Sequence, residues 1–457
     1  MPEAIHPSQF HSVHLHEDMC KGCTICVTGC PVEAIRVHDG KAHILEEKCI
    51  DCGECIRRCP NKSKYALDAD MAELKKYTYT AALVTPAIYG QFNVHYSAEM
   101  IHQAIKSLGF DEVFDVAEDA LEISRATAEI LDSIEDGTCT LQVAKPLISS
   151  SCPTVIKLIQ VRFPSLIENI LPLLPPVELC ASRARETLCK QKKADDSSCI
   201  GIFLIAPCPA KITVARSPLG YEHSDIDGVF SIGTVYLSLV TELRKMRSEQ
   251  KDAALKGGTA QNVISISDTP DGVAWGRECG ESEYISRYLK HPEKFNWITT
   301  CGLKQVIETL EAIEDGQLSD YDFAEIDACA GGCLGGPLMI KAVSESNAIL
   351  RNRLRTLKKD ALPVDEGAAV NLSEPVIPRP ARQLSTDFKK AKKMMEQLEQ
   401  IVEQLPGLDC GSCGAPNCRA LAEDIVRGNA HLEDCVTIMK ARYEELLFGK
   451  NDKSKNR

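Results

Sequence analysis

Between about residues 79 and 350 the chain alternates short apolar runs with longer stretches that have helical periodicity. Apolar runs of this length predict strands that are buried on both faces. The predicted strands are Ala81–Pro86, ended by its proline, Thr138–Val143, Cys199–Ile205 and Gly228–Gly233. A helix is predicted from Ser97 to Leu108, with its stop at Gly109. This alternation predicts an α/β domain with ligands at the loops that follow its strands.

Near the C-terminus the pattern becomes helical. Ser385 can cap a helix whose apolar side chains share one face. These side chains are Phe388, Ala391, Met394, Met395, Leu398, Ile401 and Val402. We interpret this stripe as the core of a small helical domain.

The N-terminal part repeats one cysteine pattern, C-x2-C-x2-C-x3-C-P, twice. It is the bacterial two-cluster ferredoxin pattern, in which the fourth cysteine of each run binds the other cluster. One predicted [4Fe-4S] cluster therefore has the ligands Cys20, Cys23, Cys26 and Cys59, and the second has Cys49, Cys52, Cys55 and Cys30. A zinc site is the alternative, but it needs only four ligands per metal and no Cys-Pro ending.

These changes in apolar pattern and cysteine spacing divide the chain into predicted domains. They are a ferredoxin domain at 1–70, a central domain at 71–358, a proline-rich linker at 359–384, a C-terminal cluster domain at 385–448 and a charged, disordered tail at 449–457.

Composition indicates the size of the core, the cellular compartment and the class of partner. With 457 residues, 44% of them hydrophobic, the chain is long enough for a sizeable core. Its 22 cysteines in tight spacings predict metal ligands in a reducing compartment, so we expect a cytoplasmic location. A net charge of −13 argues against a nucleic-acid partner. We find no signal pattern and no apolar run of the ~20 residues that a membrane span needs.

Three motifs within the central domain supply four further thiolates. They are Ser149-Ser-Ser-Cys-Pro153, Ala206-Pro-Cys-Pro-Ala-Lys211 and Phe323-Ala-Glu-Ile-Asp-Ala-Cys-Ala-Gly-Gly-Cys-Leu-Gly-Gly336. The four candidate ligands are Cys152, Cys208, Cys329 and Cys333. Glycines around the last two let the backbone approach a bulky group closely.

In their order and local sequence these motifs resemble the three signatures of [FeFe]-hydrogenases, over roughly Tyr79 to Leu350. The resemblance implies an α/β catalytic domain of that type, beside a small α+β two-cluster ferredoxin domain and a small helical cluster domain. It implies a third [4Fe-4S] cluster on the four central cysteines. It also implies a diiron unit with CO and cyanide ligands, bridged through Cys333, where H2 and protons are interconverted. Lys211 matches the lysine that contacts a cyanide ligand.

The C-terminal cysteines have the spacing C-x2-C-x4-C-x16-C, formed by Cys410, Cys413, Cys418 and Cys435. This spacing resembles the [4Fe-4S] domain of corrinoid iron-sulfur proteins and of a ferredoxin-like subunit of Rnf complexes. The resemblance implies a fourth cluster. This domain and the ferredoxin domain together favour electron transfer, so we expect a redox or signalling protein as partner.

Several positions depart from the hydrogenase pattern on its proton route. Ser151 stands where the family has a proton-carrying cysteine, and a hydroxyl is a poorer donor at neutral pH. Two glutamates on the family's route align approximately with Ala126 and Glu129, and Val214 stands where the family's second motif ends in a glutamate. Away from this route, Asp327 stands where the family has a methionine near the bridging carbonyl ligand. We therefore expect slow turnover, as in the divergent, sensory branches of the family. The alternative is a non-catalytic hydrogenase-like protein of electron transfer or iron-sulfur assembly without a diiron unit.

Overall fold

The structure is a computed structural model that describes residues 10–141, 143–193, 197–255, 270–355, 370–379, 381 and 383–448. The predicted tail at 449–457 and the first part of the predicted linker lie outside these residues. The chain forms two compact units. The first comprises Met1–Val13, Ile50–Gly53 and Ala66–Pro378, and the second His14–Cys49, Glu54–Tyr65 and Arg379–Arg457, each as far as it is described.

The strands of the described chain are β1 (Val13–Leu15), β2 (Ile35–His38), β3 (Lys41–Ile44), β4 (Lys64–Ala66), β5 (Tyr79–Val84), β6 (Glu112–Asp115), β7 (Leu147–Ile148), β8 (Ile200–Ala206), β9 (Gly228–Ser231), β10 (Trp297–Cys301) and β11 (Phe323–Asp327). The α-helices are α1 (Ile25–Thr28), α2 (Glu54–Arg58), α3 (Ala98–Lys106), α4 (Val116–Glu135), α5 (Pro153–Arg162), α6 (Pro176–Lys192), α7 (Pro209–Arg216), α8 (Ile232–Leu255), α9 (Gly280–Ser286), α10 (Leu303–Glu314), α11 (Val343–Leu354), α12 (Phe388–Gln404), α13 (Cys418–Val426) and α14 (Val436–Phe448).

The first unit contains two parallel sheets, with strand orders β6-β5-β8-β9 and β10-β11-β7. The central strands β5 and β8 pair in parallel, with Leu83 opposite Leu204, and their side chains are almost completely buried. Strands buried on both faces explain the continuous apolar runs of the sequence. The three motif loops follow β7, β8 and β11, so they begin at the carboxyl ends of strands, where such sheets present ligands.

One predicted strand of this unit is wrong. The described residues of Thr138–Val143 form no strand, because the amides of Thr138 and Cys139 donate to the Ser133 carbonyl and continue the end of α4. The chain becomes extended only at β7, where the Leu147 amide donates to the Asp322 carbonyl at 2.9 Å. A strand of two residues is too short to give a recognisable pattern in the sequence.

The helix predicted from Ser97 is confirmed as α3. The Ser97 hydroxyl accepts a hydrogen bond from the Met100 amide, and Gly109 adopts a φ of +113° just after the helix. A left-handed residue at this position favours glycine, which is why the helix stops there.

The second unit joins the ferredoxin repeats to the C-terminal segment. The antiparallel hairpin β2–β3 meets the C-terminal cysteine loop, and the Val37 amide donates to the Gly414 carbonyl at 2.9 Å. Beside this contact, Arg36 forms a buried ion pair with Asp424. Two sequence segments at opposite ends of the chain therefore form one folded unit.

Helix α12 begins later than predicted. Asp387 caps it by accepting from the Lys390 amide at 3.0 Å, whereas Ser385 accepts from the Asp387 amide, so the predicted Ser385 cap is wrong. The predicted core stripe is only partly buried, since Leu398 is 4% exposed but Phe388 is 82% exposed. Among the described residues no helix combines the length and the apolar character needed to cross a bilayer.

Candidate metal centres and active site

Four cysteines of the ferredoxin repeats line one cavity in the second unit. Its empty volume is about 300 Å³, and Cys20, Cys23, Cys26 and Cys59 lie on its wall together with Val37. The Cys59 sulfur accepts a hydrogen bond from the Ser63 amide at 3.3 Å. Amide donors to sulfur are a common feature of iron-sulfur sites, because they stabilise the thiolate charge. The structure thus brings together the four residues that the sequence assigns to one cluster.

For the other ferredoxin cluster, two of the predicted ligands are close within the second unit. Burial, with a smaller contribution from the nearby Cys30 thiolate, raises the pKa of Cys55 to about 12. The Cys30 sulfur accepts from the Ala34 amide at 3.2 Å. The roles of Cys49 and Cys52 stay predictions from the repeat.

The C-terminal cysteines also gather in the second unit. Burial raises the pKa of Cys413, and the charges of Cys435 and Cys410 act on it as well. Cys418 begins α13, and its amide donates to the Asp409 carboxylate at 2.7 Å. Cys435 packs into the small core that Leu398 and Leu421 share.

In the first unit, the three motif loops bring Cys152, Cys208 and Cys333 around Lys211. Burial lowers the pKa of Lys211, but the thiolates of these cysteines raise it above its ordinary value. The lysine side chain is therefore buried within electrostatic range of these sulfur atoms. Cys329 lies on the same loop as Cys333, just after β11, and is partly buried.

Burial raises the pKa of the Cys333 thiol to about 12 and that of Cys152 to about 11. Free thiols with these pKa values hold their protons at neutral pH, so metal binding must displace them. Asp327 at the end of β11 is partly buried near them, and loss of solvent together with the charge of Glu325 raises the pKa of its carboxyl group.

A cavity opens beside this group of thiols, with an empty volume of about 410 Å³, part of it open to solvent. Its polar wall includes Ser151, Lys211 and Tyr221, and the rest is mainly aliphatic.

The residues that depart from the hydrogenase pattern lie in different places. Ser151 and Val214 line the cavity. Ala126 is buried in α4, whereas Glu129 is 63% exposed, pairs with Arg125 and is not among the residues that line the cavity. The structure therefore does not bring Glu129 to the cavity wall.

Two site residues were missed by sequence reasoning. Tyr221 belongs to none of the three motifs, and Glu281 carries no recognisable signal because it lies in the first turn of the short helix α9. Glu281 is nevertheless only 4% exposed and accepts a hydrogen bond from Ser149, which belongs to the first motif.

Comparison with known families assigns the chain to a family. Residues 78–337, more than half of the chain, match the family described as iron only hydrogenase large subunit, C-terminal domain. The chain belongs to this family. Residues 12–60 match a 4Fe-4S dicluster domain, and residues 405–437 match an Fe-S cluster family. The predicted fold class is confirmed: a hydrogenase-type α/β domain, a ferredoxin domain and a helical cluster domain.

Curated relatives of this hydrogenase-family protein match short segments. An uncharacterized protein of Methanocaldococcus jannaschii is 36% identical over 56 residues, which are 12% of this chain and 25% of that protein. One component of the ion-translocating oxidoreductase complex of Rhodobacter capsulatus is 47% identical over 38 residues, or 8% of this chain and 20% of that component. The matches thus span a quarter or less of these relatives.

The solved structures that match include [FeFe]-hydrogenases. One is the HydA protein of a study of stepwise H-cluster assembly, at 18% identity and a TM-score of 0.43 over 63% of this chain and 89% of that chain. Another is an apo variant of HydA1 from Chlamydomonas reinhardtii, at 16% identity and a TM-score of 0.45 over 68% of this chain and 98% of that chain.

Proposed function

We propose that this protein binds a diiron unit with CO and cyanide ligands beside a [4Fe-4S] cluster and catalyses slow, reversible oxidation of H2. The observation that carries the proposal is the buried ammonium of Lys211, 7% exposed, on the wall of the cavity among the motif cysteines. A buried cation needs anionic partners. Thiolates and a bound cyanide are such partners. The Ser151 hydroxyl on the same wall is also buried, and it has no hydrogen-bond partner among the described residues.

Some residues of the site would bind the metal groups, and others would exclude water from them. Cys152, Cys208, Cys329 and Cys333 would hold the cubane, and Cys333 would also bridge to the diiron unit. Lys211 would donate to an anionic ligand, a contact that is stronger in a dry site than at a surface. Aliphatic residues of the cavity, among them Ile156 and Val177, would keep water away from the metal. When bound, the diiron unit supplies the heterolytic chemistry of H2.

Electrons would leave through [4Fe-4S] clusters, and the second unit supports a route between two of them. Val37 lines the cavity of Cys20, Cys23, Cys26 and Cys59, and its amide bonds to Gly414 in the C-terminal cysteine loop. One residue therefore touches both cluster sites. We propose that the C-terminal cluster exchanges electrons with this ferredoxin cluster and presents them to a redox or signalling partner.

A sensory role is the second candidate, and the side chain of Ser151 favours it. The hydroxyl at this position holds its proton at every working pH, so proton delivery is expected to limit turnover. A slow enzyme can still let its redox state report on H2 to a partner.

Replacing Ser151 by cysteine should raise the rate of H2 oxidation about tenfold, because a thiol has a pKa nearer the working pH. The measurement is dye reduction under H2 without oxygen, after maturation with the diiron unit. Ser150→Cys is the matched control, since the Ser150 hydroxyl is already engaged with the Leu173 carbonyl at 2.7 Å. A Ser151→Cys rate no higher than that of the native protein would show that proton delivery at this position does not limit turnover.

A further inference from the structure

Four lysines stand close together at the beginning of helix α12 in the second unit. They are Lys389, Lys390, Lys392 and Lys393, and we call them the lysine patch. All four residues are exposed, and none of their side chains forms an ion pair with another residue that the structure describes. The whole protein carries a net charge of −13. The lysine patch is therefore a local concentration of positive charge on an acidic protein.

The stability of the helix does not explain this patch. The amino end of a helix carries partial positive charge, so cations in its first turn are unfavourable. Lys389 lies three positions before Lys392 and four before Lys393, and like charges at these spacings repel each other. Apart from the cap Asp387, no acidic residue stands in the first turn to offset them, and Phe388 beside them is 82% exposed. These side chains are better explained by a contact outside the chain.

The same face of α12 reaches the C-terminal cysteine loop. The Met395 sulfur lies 3.8 Å from Nη2 of Arg419, the residue after the predicted cluster ligand Cys418. Met395 is itself 45% exposed. Lys392 precedes Met395 by three positions and follows Phe388 by four, so the three side chains share one side of the helix. An aromatic ring, a cation and a thioether thus extend from the lysine patch to a residue beside the predicted cluster.

The predicted cluster site is open to solvent near this face. Cys410 is exposed, and Leu408, two positions before it, is 62% exposed. The Asp409 carboxylate accepts from the Cys418 amide at 2.7 Å and so connects this loop to α13. A protein docked on the face of Phe388 and Met395 would therefore approach the exposed edge of the site, where electrons can leave.

We infer that the lysine patch, with Phe388 and Met395, is the docking surface for an acidic electron-transfer protein. The inference rests on the proposed function, in which electrons leave through the C-terminal cluster, and it gives the chemistry of the partner. The negative charge of the rest of the protein repels such a partner, so attraction at the patch also sets its orientation. The exposed apolar side chains supply the contact that holds it. One electron passes from the reduced [4Fe-4S] cluster to the partner's flavin or cluster, which is thereby reduced by one electron.

Electron transfer to an acidic flavodoxin tests the docking surface. The protein, holding only its [4Fe-4S] clusters, is reduced with dithionite, freed of the excess and mixed with oxidised flavodoxin, whose flavin absorbance reports the transfer. The native rate constant should fall steeply with added salt, because salt screens the attraction. Electrostatic steering raises association rates by about 10–10³-fold, so Lys389→Glu combined with Lys392→Glu should slow transfer at low salt at least about tenfold. The salt dependence of this double variant should be weak or reversed.

Two further variants separate docking from other effects. Lys190→Glu combined with Lys304→Glu is the matched control, because it changes the net charge equally at side chains of the first unit that are 79% and 83% exposed. It should keep a rate close to the native one. Phe388→Ala should weaken the complex without changing the salt dependence, since it removes only apolar contact. A glutamate at position 389 is favourable in the first turn of a helix, so the double variant should not unfold more easily than the native protein.

The inference is overturned if the native protein does not reduce the flavin, if the lysine variant is as fast as the native protein, or if the control slows equally. Two other occupants of the patch would overturn it as well. Phosphatidylserine vesicles that bind the native protein but not the lysine variant, with flavin reduction unchanged, would show a lipid surface. A native dimer that the lysine variant dissociates would show a second copy. Absence of CO and cyanide bands after maturation would defeat the proposed H2 chemistry alone, because the flavodoxin assay does not use the diiron unit.

Discussion

Replacing Cys333 by alanine should abolish H2 turnover and remove the CO and cyanide bands from the infrared spectrum of the matured protein. The resemblance implies that this thiolate is shared by the cubane and the diiron unit, so no other side chain can replace it. The structure places Cys333 beside Lys211, with Cys208 and Cys152 within electrostatic range. Two predicted clusters should persist, because all their cysteines lie in the separately packed second unit. They are the cluster of Cys20, Cys23, Cys26 and Cys59 and the cluster of Cys410, Cys413, Cys418 and Cys435. The measurement combines infrared spectra, iron content and electron paramagnetic resonance.

Cys301→Ala is the control for this prediction. Cys301 ends β10, and its sulfur accepts from the Gly331 amide at 3.4 Å, so the variant removes a thiol from the neighbourhood of the same loop. We expect it to keep the bands. Unchanged CO and cyanide bands in Cys333→Ala would mean that the diiron unit is attached elsewhere.

Replacing Gly414 by alanine should separate the C-terminal cysteine loop from the ferredoxin hairpin. Gly414 has a φ of +88°, and an added Cβ would lie 2.1 Å from the Val37 carbonyl oxygen. Strain of the left-handed backbone and overpacking against a neighbouring strand each cost about 1–3 kcal/mol. We expect the free energy of unfolding of the second unit to fall by an amount of this order. The magnetic interaction between the reduced C-terminal cluster and its ferredoxin neighbour should weaken or disappear.

Gly428→Ala is the matched control, because Gly428 has a φ of +80° but no atom within 4 Å of the added Cβ. It should show the backbone strain without the clash, and so a smaller loss of stability with the magnetic interaction retained. Denaturant unfolding and electron paramagnetic resonance of the two variants give the comparison. Equal behaviour of the two variants would contradict the electron route through Val37 and Gly414.

The sequence was sufficient for features that depend on local spacing. Regular cysteine repeats predicted the family domains, and continuous apolar runs predicted β5 and β8, since a strand buried on both faces leaves no polar positions. The N-cap of α12 could not be predicted in the same way, because Ser385 and Asp387 are both residue types that favour this position. Only the geometry of the turn shows that Asp387 is the cap.

Long-range partners could not be predicted from local pattern. Arg36 and Asp424 are separated by 388 positions, and neither lies in a distinctive motif, so their ion pair and the packing of the C-terminal segment on the hairpin become visible only in the fold. Glu281 was missed for the same reason. A glutamate in a short amphipathic stretch is usually exposed, and its burial depends on packing against β11 and the first motif loop.

The most direct test of the account is the infrared spectrum of the native protein after anaerobic maturation with the diiron unit. The account predicts sharp CO and cyanide absorption bands that shift when the sample is placed under H2, together with slow H2-dependent reduction of a low-potential dye. Absence of these bands, in protein whose [4Fe-4S] clusters are shown to be complete, would contradict it and would favour a non-catalytic iron-sulfur protein built on the hydrogenase fold.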